Sequence, residues 1–277
     1  RVWTLLGSRQ IEDLVELPLI TDPEVLDTLD VFSDAVTPSF FFDEHLLSLV
    51  VCRLVSLSLE YGNCDASCYG YAWLGFLAGP RFGNLGDGYR FGQLGYDLVE
   101  KRRLTRYQAR TYLCVGALVM PWTKHPASGQ DLVRRAFDAF YRAGELAFAG
   151  YCFTTSFALS LAVGAPLAEV QAEAERGLAF SRKAQLSFVN GILSTQLGLT
   201  RTLRGLTATF GRLDHEGYDE RDTELHLASN RNLGFVECFY WVRKLQARFL
   251  AGDHSSAVDA AMNAQRLLWN TPSNFET

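Results

Sequence analysis

A 41-residue internal period constrains the fold of this chain more than any other feature of its sequence. Tyr71-x-x-Leu74-Gly75 recurs 41 positions later as Tyr112-x-x-Val115-Gly116. The next step lands on Phe153-x-x-Ser156-Phe157, which keeps the aromatic and loses the glycine, and the one after on Ser194-x-x-Leu197-Gly198, which restores Leu-Gly. A second series, Gly95, Ala136 and Gly177, keeps the same period in a different register. A fixed period of this length is the signature of stacked supersecondary units, each too small to bury its own apolar face.

The content of each period is helical. Leu132, Val133, Ala136, Phe137 and Phe140 fall on one face at a 3.6-residue spacing. Helix pairs are expected over residues 65–78 with 87–101, 107–120 with 129–142, and 146–163 with 167–183. A fourth first helix is expected over 187–206, and a fifth pair over 233–250 with 255–268. Before the repeats, Thr21-Asp22-Pro23-Glu24 reads as an N-cap with proline in the first turn, and Asp43 as the cap of a helix to Tyr61. Strand signals are weak, with no clean alternation and no hairpin turn between β-branched runs.

The expected fold is therefore all-α, an α-α superhelix or solenoid of helix pairs. Its layout is a helical N-terminal part over 1–62, regular pairs over 63–206, an irregular insertion over 207–231, and over 232–277 a last pair with the start of another unit. Small residues in the two series are expected to remove bulk where helices cross at about 8–10 Å. The chain opens at Arg1 without Met and ends at Thr277, and both ends are expected to be boundaries within a longer protein.

The Leu-Gly, aromatic and small-residue series resembles the tetratricopeptide (TPR-like) class, with units longer than the usual length of about 34 residues. A closer resemblance lies in the run over 49–104, in LVRRAFDA from Leu132, LTRTLRGLT from Leu199 and WVRKLQARFLAGD from Trp241. These are similar to the helical region of large bacterial multidomain signalling kinases. Such proteins join a serine/threonine-kinase-like domain to an AAA or STAND ATPase module, then a helical-repeat region, a GAF sensor and a histidine kinase of the two-component type. The resemblance is weaker over 1–39 and 207–232. It implies a cytoplasmic, regulatory segment downstream of an ATPase, and no catalytic motif of the family falls in this chain.

Composition agrees with a folded binding segment. The chain has 277 residues, 48% hydrophobic and 21% charged, with a net charge of −5 and Lys and Arg scattered along it. That balance gives no nucleic-acid footprint. Of the six cysteines only Cys64 and Cys68 are close, and no second pair or His completes a zinc set, so buried thiols in a reducing compartment are expected. Gly83-Asn84-Leu85-Gly86-Asp87-Gly88 lacks phosphate-loop spacing and is expected to be a turn. Kinase loops and the serine-hydrolase elbow are absent. The acidic run Asp214, Glu216, Asp219, Glu220, Asp222 and Glu224 lacks calcium-loop spacing and is expected to be a solvated loop. Residues 146–168 carry no charge, but the Gly164-Ala165-Pro166 break and the repeat register point to burial rather than a membrane span.

The functional expectation is a non-catalytic interaction scaffold, without cofactor or metal, whose partners are proteins: the neighbouring ATPase and kinase modules or an external regulator. An end unit lacking its neighbour leaves apolar surface through which dimers can form. On tetratricopeptide geometry, Tyr69, Phe76, Arg110, Met120 and Tyr151 would line the concave surface. The alternative is a receptor module that takes a small molecule inside the superhelix, with Thr154, Gln196 and Arg201 as its polar groups.

Overall fold

The computed structural model describes residues 1–271 and 275–276, apart from the side chains of Arg231 and Asn270. Of the expected start of a further unit, residues 272–274 and 277 lie outside the described residues. Those described form thirteen α-helices and no β-strand, so the chain is all-α. It divides into two compact units, Arg1–Phe140 and Tyr141–Thr277.

The first unit contains α1 (Val2–Leu6), α2 (Pro23–Phe42), α3 (Glu44–Tyr61), α4 (Asp65–Phe76), α5 (Leu85–Arg102), α6 (Gln108–Cys114) and most of α7 (Ala127–Ala143). Local chemistry sets the early boundaries. Asp22 accepts a hydrogen bond from the Glu24 amide at 2.9 Å, with Pro23 opening α2. Asp43 ends α2 and starts α3: its carboxylate accepts from the His45 and Leu46 amides at 2.9 and 3.0 Å. Helix α4 packs against α2, α3, α5 and α6, placing it at the centre of this unit.

Glycine governs the α4–α5 crossing. A Cβ on Gly75 would lie 2.6 Å from the Gly88 carbonyl oxygen, and one on Gly88 2.6 Å from the Gly79 backbone. The next pair repeats the device 41 residues on, with Gly116 against Gly129. Backbones this close leave no room for a side chain, which is the packing gain that offsets glycine's cost in a helix. Both first helices widen into a π-turn at the crossing, over Leu77–Arg81 and Val115–Val119. Pro80 and Pro121, also 41 apart, sit where the turns end, each lacking the amide that would continue an α-helix.

The second unit holds α8 (Leu146–Ala162), α9 (Leu167–Lys183), α10 (Ser187–Leu203), α11 (Glu220–Ser229), α12 (Gly234–Leu250) and α13 (His254–Gln265). Helix α8 packs on α9 and α10, α10 on α9 and α12, and α12 on α13. At the positions corresponding to the glycine crossings stand Phe157 and Val170, both buried in one cluster with Leu193 and Leu197. Helix α10 is buried continuously from Ile192 to Thr200, since its other face packs on Tyr240, Leu213 and Leu227. The stretch 207–231 departs from a wholly irregular insertion, because it contains α11. Asp219 caps that helix, accepting from the Arg221 and Asp222 amides at 2.8 and 3.0 Å. Its one buried apolar residue, Leu227, is too little for a periodicity argument to detect.

A polar cleft with an unpaired guanidinium

The five residues expected to line a concave surface fall into different settings. Tyr69 is buried and stacks on Tyr107, with ring centroids 6.0 Å apart, while its hydroxyl lies 3.4 Å from that of Thr37. Burial pushes its hydroxyl up to about 12. Phe76 is fully buried, edge-on to Trp73 and Phe40. Arg110 lies over the Tyr107 ring and is 3.4 Å from Asp34. Met120 is half-buried in the turn Met120–Trp122. Tyr151, in the second unit, is half-buried between Phe148 and Phe188. Tyr69 and Arg110 thus meet at Tyr107, whose hydroxyl donates to Asp30 at 3.1 Å. With Arg106 paired to Asp30 at 2.6 Å, the acidic side chains of α2 are drawn to the start of α6. Tyr69 and Phe76 are covered by the chain's own α2, α4 and α6 region, and sequence spacing alone does not carry that closure.

An open polar site lies within the second unit. It is a cleft of about 1620 Å³ bounded by the end of α9, the outer face of α10, the 207–219 loop and α11. Its polarity comes from the residue types that α10 places at three- and four-residue steps, Ser187, Asn190, Ser194 and Arg201 among them. The loop brings His215 and Tyr218, paired across a short bridge by two backbone hydrogen bonds of 3.0 and 2.8 Å, with Gly217 at φ 76° completing the turn. Their rings stack with centroids 5.1 Å apart.

The loop is held by a buried charge network. Glu220 is 2% exposed and accepts from Arg248 at 2.5 Å, and Arg248 also donates to the Gly211 carbonyl. Glu220 accepts the Leu213 amide at 2.6 Å as well, while Asp214 accepts the Glu220 amide at 2.8 Å and Arg212 at 2.9 Å. Glu224 accepts from Tyr240 at 2.5 Å and pairs with Lys244. The acidic run is therefore more than a solvated loop. Its partners on α12 lie more than fifteen residues away, and no local spacing announces them.

Arg201 is the anomaly of the cleft. Its Nε is buried without a hydrogen-bond partner, and its side chain makes no ion pair among the described residues. Arg182, exposed at the end of α9, also faces the cleft without an ion pair among the described residues. Both charges reach His215. Burial pushes that imidazole below its usual range, the two arginines push it further, and Asp214 and the hydrogen bond to the Leu213 carbonyl act in the opposite direction. The hydrogen bond, 2.9 Å from Nδ1 to that carbonyl, requires a proton on Nδ1. The neutral ring therefore has its lone pair on Nε2. The Tyr218 hydroxyl is buried without a well-formed partner, and the neighbouring Thr223 hydroxyl donates to the Asp219 carbonyl at 2.7 Å.

No family model, curated protein or solved structure matches the chain. Among the described residues no group of three His, Cys, Asp or Glu could hold a metal ion, and no helix is long and apolar enough to cross a membrane. Helix α8, within the uncharged stretch 146–168, stops at Ala162. All six cysteines are free thiols; Cys64 and Cys68 are buried, and burial raises both thiols.

Proposed function

We propose that this chain is a non-catalytic regulatory scaffold, a tetratricopeptide-like stack of helix pairs that couples an ATPase module to sensor and kinase domains of a signalling protein. The observation that supports it is the glycine crossing repeated at 41 residues. Gly75 with Gly88, and Gly116 with Gly129, fix two successive helix pairs in one local geometry, the arrangement from which repeat proteins build partner-binding surfaces. The test is the ATPase rate of the adjoining module in the parent protein, with this segment intact and deleted. A changed rate, up or down, is expected; an unchanged rate removes the coupling role.

A second reading, a receptor module for a small molecule, is favoured by the α9–α10–α11 cleft. Repeat stacks bury apolar faces and have no packing need for a half-buried, unpaired guanidinium such as Arg201. A stabilising shift in the unfolding temperature with any member of a small-metabolite library would support it, and no shift across the library would count against it.

A further inference from the structure

The geometry points to the α9–α10–α11 cleft as a binding site for a small organic oxyanion, a phosphate or a carboxylate, clamped between Arg201 and Arg182 with His215 and Tyr218 along its side. This inference rests on the receptor reading above and names the ligand's chemistry.

Three features carry it. The first is charge without a partner. In the half-buried Arg201, the Nε–H is out of solvent and unbonded, so that donor loses hydration with nothing in return. Elsewhere in the unit the half-buried or buried Arg212, Arg243 and Arg248 all have carboxylate partners. Arg201 is the departure in having no carboxylate beside it, and an anionic ligand is the chemistry that would satisfy it. The second is convergence: Arg182 from α9, Arg201 from α10 and His215 from the loop face one space, and the arginine charges are both felt at the imidazole. A planar fork beside a second cation matches the paired oxygens of a phosphate or carboxylate. The third is neutral polar surface for the rest of a ligand. Ser187, Asn190 and Ser194 line the α10 side, and the stacked His215 and Tyr218 rings offer an aromatic edge beside a buried, unsatisfied hydroxyl.

Of the loop's acidic residues that line the cleft, Glu216 is exposed to solvent, where its charge is screened, and two others are held elsewhere. Asp214 is committed to Arg212 and to the Glu220 amide, and Asp219 to the cap of α11. Asp222, in the first turn of α11, also lines the cleft and disfavours an anion on its own side.

The experiment titrates the intact chain with inorganic phosphate and, separately, with succinate, by calorimetry, in chloride of matched ionic strength. Binding of one of the two is expected, and which one identifies the source of the oxyanion. Arg201→Gln should weaken it about tenfold or more, the scale of a lost charge-assisted hydrogen-bond pair. Arg201→Lys should fall between, keeping charge without the fork. Arg176→Gln, on the exposed Glu173 pair, should leave binding unchanged. Should Arg201→Gln fail to fold, the imidazole signal of His215 in the unaltered chain gives an independent reading: it should move on adding the anion and stay put in chloride. Equal binding by Arg201→Gln and the unaltered chain, or binding of neither anion, overturns the oxyanion assignment. Stabilisation by uncharged library members alone would overturn it too while sparing the receptor reading, whereas no response to any ligand would remove both.

Discussion

Gly129 faces the Gly116 carbonyl so closely that a Cβ built on Gly129 would lie 2.2 Å from that oxygen. This contact sits between two helices of one pair, and it is backbone on backbone, so no side chain can turn aside to relieve it. Gly129→Ala is therefore expected to destabilise the chain by about 1–3 kcal/mol, the range for forcing atoms into a filled interface. Gly86 gives the contrast within the same unit. It lies near the start of α5 with nothing within 4 Å of a built Cβ. Gly86→Ala should stabilise, by up to about 1 kcal/mol, through the unfolded chain's lost freedom. Urea midpoints for the two variants check the pair. Equal midpoints would remove the close crossing as the reason for the repeated glycine.

Phe76 and Tyr69 are expected to act on stability before they act on any partner. Phe76 is wholly buried against Trp73 and Phe40. Phe76→Ala should cost about 3–5 kcal/mol. Met120→Ala, at a half-buried position in a short turn, should cost much less. Thermal unfolding of the two variants orders them, and a Phe76→Ala chain as stable as the parent would show that its ring is not a core element.

How much of this was legible before the structure depends on how far apart the cooperating residues lie. Caps are local: Asp22 and Asp43 mark the starts of α2 and α3 by residue type and by the helical pattern that follows. The 41-residue offset between Gly75 and Gly116 located two crossings, because two successive pairs repeat the same contact. It did not identify Gly88 and Gly129 as the opposite sides of those crossings. Nor did it foresee the π-turns, since a helical side-chain period does not distinguish them from α-helix. The cleft was least legible. Arg201 was recognisable as a polar group on an otherwise buried helix, but Arg182, His215 and Tyr218 come from another helix and a loop outside the repeat. Glu220 looked like one acid among several, since its partner Arg248 sits 28 residues on.

The Glu220–Arg248 pair should be costly to break from one side and cheap to replace whole. Both side chains are at most 5% exposed, and Glu220 also receives the Leu213 amide. Arg248→Met leaves a buried carboxylate without its cation and should cost about 3–5 kcal/mol, whereas Glu220→Gln with Arg248→Met should recover part of that loss. A double-mutant cycle in urea measures the coupling. A coupling near zero would mean that the 207–219 loop is held by its backbone contacts alone.

His215 supplies the pH dependence. Its folded pKa lies below the unfolded value, from burial first and then from the Arg201 and Arg182 charges. Below the unfolded pKa, about 6.5, the unfolded chain takes up a proton that the native ring resists. Stability from this group is thus complete above about pH 6.5 and declines as pH falls toward the folded pKa, below which no further loss accrues. Arg201→Gln removes one repelling charge, so it should raise the folded pKa and flatten that decline. An anion held beside Arg201 should act in the same direction, and by linkage it should bind more tightly as pH falls through the His215 titration. Following the His215 ring by NMR from pH 8 to 5, in the parent chain and in Arg201→Gln, gives both pKa values directly. Identical curves would place Arg201 too far from the imidazole to be felt, and would separate the histidine from the anion site.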